Sequence, residues 1–305
     1  MMRAFAISMG SFAKGMLDRR RIGEVHSVFK NSLYVLTKDG RLISIVGPNS
    51  YNMPINIRVR LPKGLAIGDL GLSPGAPVRR SGDLLIVGGD LSINLRGAAI
   101  WEPTKGKPPA LDAAKLLHSI GEIEGVASKW TPSGGLGSLI PHRRALISGD
   151  PAGIPLGNPM TSKAALGIAG LFKAIKERDP NGIDRSVRGL IGLGPGLTPS
   201  GDDFLMGFFA SSMFGMRGRR DRFGPSMALL RRSILRARPL TTPVSQELFL
   251  HAIEGGVAEP IDDLIVGIFH GVPWLDRLTR RAIEMGETSG GDIVLGVIMG
   301  ASLFI

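Results

Sequence analysis

Residues 192–207 read GLGPGLTPSGDDFLMG. Glycines and prolines give way to Thr198 and Ser200, then to two aspartates and an apolar run. The first half suits neither helix nor strand, and the second half predicts a buried helix starting near Ser200. The pattern returns at the end of the chain, where SGGDIVLGVI begins at Ser289. Ser200, Gly201, Asp203 and Gly207 align with Ser289, Gly290, Asp292 and Gly296. Ser-x-x-Asp predicts a capping box, with Asp203 and Asp292 reaching back to the helix start. Gly207 and Gly296 predict close approach between two helices inside a core.

The GLGPGLTP half and Asp202 have no counterpart in the second copy, where Gly291 stands. A capping box needs neither. Main chain bared of side chains before a helix N-terminus offers N–H groups to an anion. Gly194, Gly196, Leu197 and Gly201 are the expected amide donors, and Thr198 and Ser200 the expected hydroxyls. Phosphate, carbamoyl phosphate or a carboxylate would suit. Asp202 is the carboxylate expected to face a ligand or metal, and Asp203 the one expected to cap. If the two helix starts converge, Ser289, Gly290 and Asp292 join the site, and Asp202 and Asp203 with Asp292 become candidates for Mg²⁺ beside a phosphate. The stretch lacks the Lys of GxxxxGK[ST] and the spacing of GxGxxG, so it is not a known nucleotide loop.

Working outward, residues 161–305 alternate helical periods with breakers. TSKAALGIAGLFKAIKERD predicts a helix capped by Thr161 or Ser162, and SMALLRRSILRAR one ended by Pro239. SQELFLHAIEGG predicts a helix from Ser245 to Gly255-Gly256. Thr241, Thr242 and Ser245 are first cap residues, with a place in the site if the fold brings them to Gly194–Asp203. Residues 22–101 read as short strands. Lys38-Asp39-Gly40 and Gly88-Gly89-Asp90 mark turns, and MPINIRVRLP alternates as a half-buried strand does. The fold class expected is α+β, with a small β-rich barrel or sandwich as N-terminal domain over 1–125. A Gly/Pro-rich connector over 126–160 and a mostly helical domain over 161–305 follow.

Composition narrows the functions. The 305 residues include no Cys, which excludes disulfides, thiolate metal sites and cysteine nucleophiles. The net charge of +11 fits anionic substrates or an acidic partner. Arg217, Arg219, Arg220 and Arg222 cluster, but no Tyr or Trp lies among them, so base stacking is unsupported and nucleic acid is not an expected partner. The first 21 residues suggest an amphipathic helix ending near Arg19–Arg21 rather than a cleaved leader. The longest apolar runs fall short of the ~20 residues that span a bilayer, so a soluble cytoplasmic protein is expected. His251 and Glu254 share a helix face without metal-site spacing, and His26 reads as a structural histidine.

GLGPGLTPSGDDFLMG resembles the signature of a bacterial family that includes the AllH subunit associated with oxamate carbamoyltransferase. GEVHSVFKNSLYV, SINLRGAAIWEP, TTPVSQELFLHAIEGGVAEPIDDLI and GETSGGDIVLGVIMG resemble further parts of it. The resemblance runs from Gly23 to the end. It implies a role in allantoin-type nitrogen catabolism, converting oxalurate and phosphate into oxamate and carbamoyl phosphate. It also implies other protein subunits. The alternative is a non-catalytic scaffolding protein in which the glycine loop only serves helix packing.

Overall fold

A computed structural model describes residues 2–17, 21–103, 112–154, 157–217 and 223–305. The chain divides into two units, residues 1–103 and 104–305. Arg219, Arg220 and Arg222, Arg19 and Arg20, and most of the Pro- and Lys-containing stretch after Trp101 lie outside the described residues.

The first unit carries β1 (Met2–Gly10), α1 (Ser11–Met16), β2 (Arg21–Val28), β3 (Ser32–Thr37), β4 (Leu42–Val46), β5 (Asn56–Arg60), β6 (Pro77–Ser81), β7 (Leu84–Val87), β8 (Leu91–Asn94) and β9 (Ala99–Trp101). The strand order is β5-β4-β3-β2-β6-β7-β8-β1-β9, and β1 also pairs with β5. That extra pairing closes eight strands into a barrel, with β9 added beside the second half of β1. Antiparallel neighbours alternate with three parallel contacts, β1 with β8, β1 with β9 and β4 with β5. Val25, Val35, Ile43, Ile57, Val78 and Leu85 belong to the barrel core. Of the two architectures expected, the barrel is the one observed. Both marked turns hold: Gly40 and Gly88 take positive φ between β3 and β4 and between β7 and β8.

Of the amphipathic helix expected over the first 21 residues, only α1 (Ser11–Met16) is helical among the described residues, and residues 2–10 form β1. Its segment pairs along both edges, Phe5 with Arg60 of β5 and Met2 with Leu91 of β8. Such pairing outweighs the helical preference of Ala and Met.

The second unit holds α2 (Ala113–Trp130), α3 (Arg143–Ser148), α4 (Pro159–Glu177), α5 (Pro180–Leu190), α6 (Ser200–Gly215), α7 (Gly224–Ala237), α8 (Pro243–Ala252), α9 (Glu259–His270), α10 (Leu275–Ile283) and α11 (Ser289–Ala301). The boundary expected at residue 125 falls inside α2. The expected connector carries the end of α2, a 3-10 helix over Leu136–His142 and α3. Leu136, Leu139, Ile140 and Leu146 are buried in the core, which holds residues 136–146 of this Gly/Pro-rich stretch in place.

Two caps sit earlier than expected. Asn158, not Thr161 or Ser162, caps α4 by accepting the Thr161 amide at 2.9 Å, with Pro159 in the first turn. Thr242, not Ser245, caps α8 by accepting the Ser245 amide at 3.1 Å. In both cases Pro follows the cap, where its missing N–H costs nothing.

α6 and α11 form the centre of this unit. Nearly every residue of both is buried. A Cβ on Gly207 would lie 2.3 Å from the Ile293 carbonyl oxygen, and one on Gly296 2.2 Å from that of Phe204. The two repeated helices therefore touch backbone to backbone at the glycines the repeat aligns.

Candidate functional site

The start of α6 is a loop wrapped round a helix N-terminus. Gly192, Gly194 and Gly196 all have positive φ, at 71°, 115° and 95°. The loop folds back so far that a Cβ on Gly194 would lie 2.9 Å from the Ser200 nitrogen. Pro195, Gly196 and Leu197 are exposed, and Gly194 and Thr198 half-buried. Among the described residues, the amides of Gly194, Gly196 and Leu197 have no intramolecular acceptor.

The other expected donors are spent on the fold. The Gly201 amide donates to the Leu193 carbonyl at 2.8 Å, and the Gly290 amide to that of Met285 at 2.9 Å. Asp202 points into the fold. It is fully buried, and its carboxylate accepts the Gly192 amide at 2.7 Å and the Thr241 hydroxyl. Asp202 thus ties the loop to α6 and to the start of α8. The Thr242 hydroxyl adds a bond of 2.5 Å to the Leu197 carbonyl. Thr241 and Thr242 therefore hold the loop as well as opening α8, links between residues 39 and 45 positions apart that spacing alone does not display.

Asp203 and Asp292 do not form capping boxes. Pro199 and Thr288 occupy the cap positions, without side-chain cap bonds. Each aspartate sits one residue past the capping-box position, although Asp292 stays within reach of the Thr288 hydroxyl. The two helix starts instead meet and exchange partners. The Ser289 hydroxyl lies within reach of Asp203, and the Ser200 hydroxyl within reach of Asp292. Thr198 Oγ1 and Ser289 Oγ are 3.1 Å apart. Asp292 Oδ1 also accepts the amides of Leu136 and Gly137, at 2.5 and 3.2 Å. Gly135 is required there, since its Cβ would lie 2.5 Å from that same oxygen.

Burial pushes all three carboxyls above the usual range. For Asp202 the Thr241 hydroxyl and Gly192 amide oppose the rise. Asp203 rises furthest: burial dominates, the neighbouring Asp292 and Asp202 add to it, and only hydroxyls oppose it. For Asp292 burial is countered by Ser200 and the two amides. Among the described residues no group of three or more His, Cys, Asp or Glu is placed to hold a metal. Asp202, Asp203 and Asp292 each turn to a different set of donors.

His251 is buried and bonds Glu247 at 2.9 Å, one turn before it, rather than Glu254. His26 is exposed beside Ser27. Among the described residues, no helix is long and apolar enough to cross a membrane.

Comparison with protein families gives two matches. Residues 190–301, from the end of α5 through α11, match the family described as oxamate carbamoyltransferase subunit AllH. Residues 5–100 match the AllH family N-terminal domain. Together the two matches cover most of the chain. It belongs to the AllH family. The AllH match begins at the loop before α6 and ends with α11, so it encloses the paired helices and the site between their starts. No solved structure matches the chain.

Proposed function

We propose that this AllH-family chain is a subunit of an oxamate carbamoyltransferase-type complex, converting oxalurate and phosphate into oxamate and carbamoyl phosphate. The loop over 194–198 is its seat for an anionic oxygen of phosphate, carbamoyl phosphate or a carboxylate. The observation that carries this is the set of unpaired amides at half-buried Gly194 and exposed Gly196 and Leu197, in front of a sixteen-residue buried helix. Fixed N–H dipoles stabilise negative charge without reorganising, and the helix N-terminus adds to them. Carbamoyl transfer to phosphate needs such positioning and charge stabilisation, and no covalent nucleophile. The Asp202 and Thr242 tethers keep the loop in place before a ligand arrives. Raised carboxyl pKa values beneath the loop lessen the repulsion an anion would meet.

Co-purification with the other subunits encoded for the complex, followed by carbamoyl phosphate formation from oxalurate and phosphate, tests the reading. A chain that finds no partner and binds neither phosphate nor oxalurate would sink it. A scaffolding role is the second reading, favoured by Gly201, Ser200 and Asp202 being spent internally. Asp202→Asn separates the two: loss of stability with no change in anion binding supports the scaffold.

A further inference from the structure

The buried carboxyls at the meeting point of α6 and α11 are more than a packing device. Asp203 and Asp292 are related by the repeat, and both are almost wholly excluded from solvent. Asp203 Oδ2 and Asp292 Oδ2 are out of contact with water and have no hydrogen-bond donor among the described residues. Two interacting buried carboxylates, each with one donorless oxygen, are costly, and one proton on the pair relieves both a missing donor and the repulsion.

The surroundings decide which member takes that proton. Asp292 receives two backbone amides, which favour its ionised form. Asp203 receives no amide and faces only the hydroxyls of Thr198 and Ser289. The titratable groups facing it are Asp292 on α11 and Asp202 on its own helix, both acidic. The Thr198–Ser289 pair lies half-buried within reach of Asp203, and Thr198 directly follows the exposed loop. Unlike environments around two like groups are what separates an acid from a base.

We propose that Asp203 is held as a neutral carboxylic acid beside an ionised Asp292, and that the Thr198 and Ser289 hydroxyls relay its proton to a ligand on the 194–198 loop. The relay rests on the carbamoyltransferase reading above. In that reaction an oxygen of hydrogenphosphate forms a bond to the carbamoyl carbon. The C–N bond breaks, and its electron pair stays on the departing nitrogen. That nitrogen must gain a proton, and hydrogenphosphate must lose one. Ser289 gives its hydroxyl proton to the nitrogen and takes that of Asp203. Thr198 takes the phosphate proton and returns its own to Asp203. The sum is one proton moved from phosphate to nitrogen, with both hydroxyls and Asp203 restored. Asp203 positions and supplies the proton, and Ser289 and Thr198 touch the substrate.

Infrared difference spectra of the whole chain, wild type against Asp203→Asn at neutral pH, test the first half. A protonated-carboxyl C=O band lost in the variant is expected. Its absence in the wild type overturns the proposal, whatever the chain's reaction proves to be. If Asp203→Asn does not fold, the pH titration of that band in Ser289→Ala and wild type replaces it: a band in both upholds the neutral acid, and none overturns it. Kinetics of the assembled complex test the relay. Ser289→Ala and Asp203→Asn should each lower kcat about 10²–10⁴-fold and flatten its pH profile, with phosphate Kd within about twofold of wild type. Ser289→Thr should restore part of the rate. Unchanged kcat in Ser289→Ala overturns the relay. Loss of phosphate binding in the wild-type chain with the infrared band present refutes the loop as anion seat and leaves the neutral acid standing.

Discussion

Replacing Gly296 by Ala adds one methyl group at the tightest point between α6 and α11. The new Cβ would lie 2.2 Å from the Phe204 carbonyl oxygen and 2.7 Å from the Phe208 nitrogen. Ordinary contact begins at 3.4 Å, so the helices must part by about 1.2 Å. Both opposing atoms are backbone, and no rotamer change relieves them. Overpacking of this kind costs roughly 1–3 kcal/mol where side chains yield. Here the whole helix must yield, and a gap of even ~0.5–1 Å forfeits a quarter to a half of each dispersion contact it opens. A loss of about 3 kcal/mol or more is expected. For a domain of this size that lowers the thermal midpoint by about 6–12 °C. Gly125→Ala is the matched control. Gly125 lies in exposed α2 with nothing within 4 Å of its Cβ, so the same change should stabilise by about 0.5–1 kcal/mol. Thermal unfolding followed by far-ultraviolet circular dichroism reads both. A Gly296→Ala midpoint at or above wild type refutes the close pairing of the repeated helices.

Asp202→Ala leaves the Gly192 amide and Thr241 hydroxyl without an acceptor in a buried place, and should cost about 2–5 kcal/mol by denaturant unfolding. Thr241→Val removes one of those bonds and should cost less than half as much in the same assay. Glu124→Gln leaves Arg143, whose side chain is 6% exposed, without its charge partner; about 2 kcal/mol is expected, discounted because Glu124 is itself a quarter exposed. The raised carboxyls give stability a definite pH sign. Folded Asp202, Asp203 and Asp292 hold protons above the range where the unfolded chain releases them, near the reference value of 3.8. The unfolded state then binds fewer protons, so their contribution is full below that value and lost as pH rises through the folded values. Asp203→Asn should flatten this fall; parallel wild-type and variant profiles would contradict it.

The sequence made the repeat visible because its signal is local: Ser, Gly, Asp and Gly recur at fixed spacing, and the apolar runs follow directly. The close contact at Gly207 and Gly296 came from the same signal. Turn chemistry at Lys38-Asp39-Gly40 located a hairpin for a similar reason. Barrel closure through β1 was not legible. It depends on the pairing of Phe5 with Arg60, across more than fifty residues, and no periodicity within β1 announces two partners. The site divided along the same line. The bareness of Gly194, Gly196 and Leu197 follows from residue type and position. The inward turn of Asp202 follows from Thr241, which only the tertiary fold brings near. Ser-x-x-Asp fits a capping box, so local spacing points to Asp203 and Asp292 as caps. With Pro199 and Thr288 at the cap positions, each carboxyl is carried past its own helix start and towards its partner's.

The central claim is that the loop before α6 seats an anionic oxygen on its free amides. Titrating the intact chain with inorganic phosphate, and following backbone amide resonances, tests this most directly. The account predicts saturable shifts at Gly194, Gly196 and Leu197, abolished at Leu197 by Leu197→Pro and preserved by Leu197→Ala. The amides of Gly192 and Gly201, already bonded to Asp202 and Leu193, should move little. Saturable binding that shifts other amides and leaves these three in place would contradict it, as would no binding at all.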